Sequence, residues 1–168
     1  MDNHRTEILN QRKVEQKINR IAFQVIEEHY DQKEIIMAGI LGNGQTLAGL
    51  IAKKVEANSK IDVHLIALKL NKKDPLHSKI ELDTAEVNME GACIILIDDV
   101  LNSGRTMMYA MKAFLDSSIR SLKTAVLVNR SHNRYPVHAN YVGMSLATTL
   151  KEHIEVVLEK DNYGAYLV

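Results

Sequence analysis

From Val14 onward, apolar residues recur at Val14, Ile18, Ile21, Ala22, Val25 and Ile26, the spacing of one helix face laid on a core. The run EIIMAGIL (34 to 41) is short, apolar and closed by glycines, so it reads as a strand; GQTLAGLIAKKVEAN (44 to 58) then returns to helical spacing through Leu47, Leu50, Ile51 and Val55. A second strand, IDVHLIALKL (61 to 70), leads into a polar segment from 71 to 91 that carries Pro75 and no periodic pattern. Loops of that length inside a compact domain are functional or disordered. A third strand, ACIILIDDV (92 to 100), turns through Asn-Ser-Gly into a helix whose inner face reads Met107, Ala110, Met111, Phe114 and Leu115. KTAVLVN (123 to 129) is a fourth strand, followed by a polar stretch around Pro136 and the shorter strand-like pieces YVGMSL, IEVVLEK and AYLV. Apolar strands alternating with helices predict an α/β fold, a parallel core sheet covered by helices on both faces.

The chain has 168 residues, 46% of them hydrophobic, which suits one domain with a substantial core. A single domain spanning 1 to 168 is therefore expected. Formal net charge is zero, with basic residues scattered along the chain, and neither bulk nucleic-acid binding nor a membrane surface is indicated. A local RNA patch stays open. The one cysteine, Cys93, sits in an apolar run, cannot form an intramolecular disulfide and suits a reducing compartment. The first residues, MDNHRTEILNQRK, lack an apolar signal core, and no stretch approaches the roughly 20 apolar residues of a membrane span. A cytoplasmic protein with no membrane partner is the expectation.

Candidate chemistry is concentrated at the end of the third strand. In a parallel sheet ligands gather where strands end, so Asp98 and Asp99 are placed to face one. Asn102, Ser103, Gly104, Arg105 and Thr106 follow and open a helix, where free backbone N–H groups and the helix dipole favour a phosphate. Small and hydroxyl residues let the backbone come close. No Gly-Lys-Ser/Thr follows at Walker spacing, which disfavours a nucleotide triphosphatase. Taken alone, two acids and a serine also make an ordinary strand-to-helix turn with a cap. The glycines between Gly39 and Gly44 have two readings as well: backbone amides open to an anion, or a tight turn feeding a helix. A dinucleotide fingerprint matches weakly there, because Leu47 stands where its third glycine belongs.

The whole string IILIDDVLNSGRTMMYA resembles the phosphoribosyl pyrophosphate (PRPP) signature of type I phosphoribosyltransferases. That resemblance implies the type I fold, a parallel core sheet flanked by helices with a small hood formed from about 129 to 168 plus N-terminal residues. It also implies that Asn102 to Thr106 hold the 5′-phosphate, while Asp98 and Asp99 address the ribose and the metal-bound substrate. Displacing pyrophosphate from the sugar builds positive charge there, which nearby negative groups offset. Magnesium would be held mainly through PRPP oxygens, without a dedicated protein cage.

Three further segments resemble the subgroup of bifunctional pyrimidine operon regulators with uracil phosphoribosyltransferase activity: KINRIAFQVIEEH (17 to 29), MAGILGNGQTLAGLIAKKV (37 to 55) and AVLVNRSHNRYPVHANYVGMSLATT (125 to 149). By that resemblance Leu41, Gly42, Asn43 and Gly44 form the pyrophosphate loop, Tyr141 lies against the base plane, the Val142 backbone meets the base edge, and Asn129 and Thr148 sit at its polar rim. A homo-oligomer is also implied. The chain departs from the subgroup at several places: Gly42-Asn43-Gly44 replaces Thr-Arg-Gly, Asn133 stands at a frequent arginine, Asn140 replaces a common aspartate, and Lys69 to Asp74 replaces Tyr-Arg-Asp-Asp. Lys69, Lys72, Lys73 and Lys79 fringe the 71 to 91 loop, either as a solvated cluster or on a flap that closes over PRPP and excludes water. The other histidines show no metal spacing. Transfer of ribose 5-phosphate to a nucleobase, uracil foremost, is the leading expectation; a nucleotide-sensing RNA-binding operon regulator with little catalysis is the alternative. A PRPP-binding protein acting on another base or an amine is a third.

Overall fold

The structure is a computed structural model describing residues 5–83, 87–149 and 151–168. Asn10 caps the first helix, α1 (Gln11–Glu28), its side chain accepting the Lys13 N–H at 3.0 Å. Val14, Ile18, Ile21, Ala22 and Val25 form the buried stripe of α1. The apolar runs become β2 (Glu34–Ile40), β3 (Asp62–Lys69), β5 (Cys93–Leu101) and β6 (Ser121–Asn129), with α2 (Asn43–Asn58) between β2 and β3. Helix α3 (Arg105–Met111) follows β5 and ends in a 3-10 turn (Lys112–Phe114); Leu115, assigned above to its inner face, is 67% exposed because the chain leaves the helix there.

Six strands make the main sheet in the order β4-β3-β2-β5-β6-β7, where β7 is Tyr141–Ser145 and β4 is the two-residue piece Glu81–Leu82 inside the long polar segment. All pairings are parallel except β4 on β3. Strands β2 and β5 are buried along almost their whole length, as continuous apolar runs require. One face packs on α1 and α2 through Ile21, Met37, Ile51, Ile95 and Leu127; the other packs on α3 through Leu96, Met107, Phe114 and Val126. Each such aliphatic contributes about 1.5–3 kcal/mol of burial before entropy is charged against it.

A second, three-stranded sheet has the order β1-β9-β8, joining β1 (Thr6–Leu9) to β8 (Ile154–Glu159) and β9 (Asn162–Leu167). It rests on the carboxyl end of the main sheet, where Asn43 at the start of α2 donates to the Val156 carbonyl at 2.8 Å. Strand β7 extends the main sheet, so residues 141–145 are core rather than hood. Its exposed edge is partly covered by Arg20 of α1, whose guanidinium donates to the Val142 and Gly143 carbonyls at 2.9 and 2.6 Å.

Candidate active site

The main sheet's carboxyl edge is where α2 and β5 approach most tightly. A Cβ on Gly44 would lie 2.7 Å from the Ile97 carbonyl oxygen and 3.1 Å from Asp98 Oδ1, so only glycine lets the start of α2 rest on the end of β5. Gly39 serves the same contact, since a Cβ there would meet Gln45 Cα at 2.5 Å. These two glycines therefore answer to internal packing rather than to open approach of a ligand. Of glycines 39, 42 and 44, only Gly42 has positive φ, +102°, and it has free space around it.

Asp98 and Asp99 end the buried part of β5 but differ in surroundings. Asp98 is 4% exposed and accepts from Lys72 Nζ at 3.2 and 3.3 Å. Burial first, then the neighbouring Asp99 charge, push its carboxyl up to about 7, with Lys72 pulling the other way. Asp99 is half-buried; its Oδ2 accepts from Asn43 Nδ2 at 3.0 Å and its Oδ1 from the Val100 N–H at 2.9 Å. Asn43 thus ties the loop of residues 41–44 to both the acidic pair and β8. A neutral amide in place of a guanidinium gives this loop a structural tether and no cation.

A cavity of about 250 Å³ opens over the pair, lined by Lys72, Asp98 to Met107 and Ile154. All five residues from Asn102 to Thr106 border it. Gly104 lies in the left-handed region at φ +83°, and a Cβ there would sit 3.3 Å from Val137 Cβ. Its glycine is required by that conformation and by the packing behind the loop, not by a ligand in front. The segment behind it braces the turn: the Arg134 and Tyr135 N–H groups donate to the Ser103 carbonyl at 2.8 and 3.0 Å, and the Arg130 N–H donates to Leu101 O at 3.0 Å.

Arg130, 6% exposed, supports this loop from behind, and nothing in the sequence singled it out. Its guanidinium donates to Asn102 Oδ1 at 2.9 Å, Thr148 Oγ1 at 2.9 Å, the Thr149 carbonyl at 3.1 Å and the Glu152 carbonyl. It clamps the 102–106 loop to the segment that leads into β8. In the sequence it is one charge in a polar stretch, and its four partners lie 18 to 28 residues away. Asn102 and Thr148 therefore present their side-chain oxygens to Arg130. Asn129, at the end of β6, turns its Oδ1 to the Ser131 N–H at 3.0 Å.

The base-side expectations need correction. Tyr141 is 3% exposed and pairs in register with Ala125, four residues below the carboxyl end of β6, on the face covered by α1. Its hydroxyl donates to Glu28, which also holds Lys123, and burial pushes its pKa up to about 12. It cannot lie on a base bound beside Asp98. Val142 lends its carbonyl to Arg20, also below the strand ends, and so does not offer it to a base edge. Asn140 accepts from the Thr124 N–H at 3.0 Å, level with Leu96, and is not among the residues lining the cavity, so that departure does not touch it. Asn133 folds back to the Val137 carbonyl at 3.1 Å. The side chain that does reach the cavity is Ile154, at the start of β8. Nothing in the alternation of IEVVLEK marks it in the sequence.

A larger cavity, about 530 Å³, opens at the amino ends of β2 and β5 between Asp31, Glu34, Glu90 and Arg120. It holds neither the acidic pair nor the 102–106 loop. Among the described residues no group of three His, Cys, Asp or Glu side chains is placed to hold a metal, and no helix is long and apolar enough to cross a membrane. Asp98 and Asp99 nevertheless suit a hard cation carried in on substrate oxygens.

Strand-end acids, an adjoining turn into a helix and a second small sheet over the cavity together define a type I phosphoribosyltransferase. The phosphoribosyl transferase domain model matches residues 4–160, and the chain belongs to that family. It is a PRPP-dependent phosphoribosyltransferase. "Bifunctional protein PyrR" of Haemophilus ducreyi is 34% identical over 162 residues, covering 90% of this chain and 89% of the relative. The protein of the same name from Gloeothece citriformis is 31% identical, covering 95% and 93%. In fold, the hypoxanthine phosphoribosyltransferase of Trypanosoma cruzi superposes with a TM-score of 0.79 over 96% of this chain and 95% of that one, at 14% identity. A hypoxanthine-guanine phosphoribosyltransferase from Bacillus anthracis gives 0.72 at 19% identity, covering 84% and 82%.

Proposed function

We propose that this chain joins uracil to the ribose 5-phosphate of PRPP and releases pyrophosphate, in the cytoplasm and as a homo-oligomer. The observation that carries the reading is the single cavity in which Asp98, Asp99 and Asn102 to Thr106 meet. In it the 102–106 backbone takes the 5′-phosphate and the two carboxylates lie under the ribose, with the diphosphate toward residues 41–44. As the C1–O bond to pyrophosphate breaks, positive charge grows on the sugar and the carboxylates offset it; a base nitrogen then bonds to C1 and gives up its proton to the departing pyrophosphate or to water. Asp98 and Asp99 would face a magnesium ion carried in on the substrate, which would supply charge neutralisation to the departing pyrophosphate. Ile154 offers an apolar wall to a flat base. Uracil as acceptor rests on the pyrimidine-operon resemblance, supported by similarity to the PyrR proteins over about nine-tenths of the chain.

The test is nucleotide formation from magnesium and PRPP with uracil, hypoxanthine, guanine, adenine and orotate offered separately, products weighed by mass spectrometry. Uridine monophosphate as the main product supports the reading; a purine nucleotide keeps the transferase and overturns the base.

A second reading, RNA-dependent regulation, is favoured by one observation. Residues 100–151 hold seven of the 21 Lys and Arg against the single Asp116, so a chain neutral as a whole has a local excess of positive charge along this segment. Within it Tyr109 and Tyr135 meet edge-to-face at 6.5 Å and Lys112 sits 5.9 Å from the Tyr109 ring centre. Such a surface would bind RNA with affinity that falls steeply as salt rises. Affinity that is flat with salt would count against it.

A further inference from the structure

The loop after β3 delivers a cation to the acidic pair, and nothing in the 41–44 loop does. Leu41 to Gly44 carry no charge, and Asn43 is spent on Asp99 and Val156. The cations that border the cavity are Lys72 and Arg105, and Arg105 belongs to the turn at the phosphate end. Lys72 stands at the other end. The Leu41 N–H donates to the Leu68 carbonyl at 2.8 Å, so the end of β3 runs beside the 41–44 loop, and four residues later Lys72 Nζ reaches Asp98. Gly44 abuts the same Asp98 oxygen. The wall where pyrophosphate would lie is therefore shared by Gly44, Asp98 and Lys72.

The turn that holds Lys72 is built. Asn71 Oδ1 accepts the Lys73 and Asp74 N–H groups at 3.0 and 3.3 Å, the Asn71 N–H donates to Ser78 Oγ at 3.3 Å, and Pro75 is buried as an anchor. Lys72 itself is 48% exposed at its side chain, so it can swing while its backbone stays in place. While paired with Asp98, its ammonium covers the carboxylate that the ribose requires.

We infer that Lys72 is the pyrophosphate-binding cation of this site: in the free protein it neutralises Asp98, and on entry of PRPP it moves to the diphosphate and releases Asp98 to the sugar. The inference rests on the function proposed above. It makes Lys72 the replacement for the positive charge that Asn43 does not supply, and it makes pyrophosphate affinity a property of the β3 loop.

Calorimetric titration of wild type, Lys72→Met and Lys72→Arg with magnesium pyrophosphate, and separately with ribose 5-phosphate, tests it. Loss of one charge-assisted contact predicts pyrophosphate binding weaker by about 10- to 100-fold in Lys72→Met. Ribose 5-phosphate should bind at least as well as in wild type, since Asp98 has lost its competitor, and Lys72→Arg should restore pyrophosphate. Equal losses for both ligands would mark Lys72 as a brace of its loop and overturn the inference, as would no loss for either. Both results leave the transferase reading standing if PRPP still binds. Failure of the wild type to bind PRPP would remove that reading and this one with it.

Discussion

The two walls of the cavity are assembled differently. The phosphate wall is one continuous segment, Asp98 to Met107, carried from a buried strand into a helix, while the base wall is collected from Ile154 and, behind it, the Arg130 clamp. Local geometry fixes the first: a left-handed Gly104 and a turn backed by residues 134–137. The second depends on how the small sheet is seated, so changes there should act through stability and base affinity rather than through phosphate binding.

The largest effect expected from breaking that contrast is at Gly104. Gly104→Val forces a β-branched residue into φ +83° and against Val137, so the loop must shift. PRPP affinity should fall on the order of 100-fold by calorimetry, with the far-ultraviolet circular dichroism spectrum retained. Next is Arg130→Met, which leaves the Thr149 and Glu152 carbonyls without their buried donor. Urea unfolding should show a loss of about 2–4 kcal/mol, and PRPP affinity should suffer less than in Gly104→Val. On the base side, Ile154→Ser should raise the KM for the base about tenfold, whereas Tyr141→Phe should leave it unchanged and cost only about 1 kcal/mol of stability through the lost bond to Glu28. A large KM effect at Tyr141 would return that residue to the site.

A further effect concerns pH. Folding raises the Asp98 carboxyl from 3.8 to about 7, so between those values the folded chain holds a proton that the unfolded chain has released. The stability this group contributes is present below about pH 4 and is lost as pH rises through about 7. Asp98→Asn should therefore gain on wild type as pH rises from 5 to 8, by roughly 1–2 kcal/mol in paired urea melts. An unchanged difference would mean that the Lys72 pair keeps the carboxylate charged throughout.

The same contrast explains what could be read in the chain beforehand. A parallel α/β sheet and its strand-end acids were legible because β2 and β5 are unbroken apolar runs and because Asp98 to Thr106 follow one another directly. The base wall was not. Tyr141 was misplaced because a strand's alternation does not say which face is covered by a helix; its pairing with Ala125, level with Ile97, and its burial on the face under α1 turn it away from the cavity. Arg130, Lys72 and Ile154 act across long sequence separations, for which a single sequence carries no spacing rule. Strand β1 is not legible because four residues, two of them exposed, have too little pattern. Glycines 39, 44 and 104 were noticed for a reason that proved secondary, since backbone packing and a positive φ account for them.

The most direct test of the account is uracil-dependent pyrophosphate release from magnesium PRPP by wild type and Asp99→Asn, a nearly isosteric change that removes charge beside the sugar. Wild type should release pyrophosphate, and the variant should do so at a rate lower by about two to four orders of magnitude, with an unchanged melting temperature. Equal rates in the two proteins would contradict it.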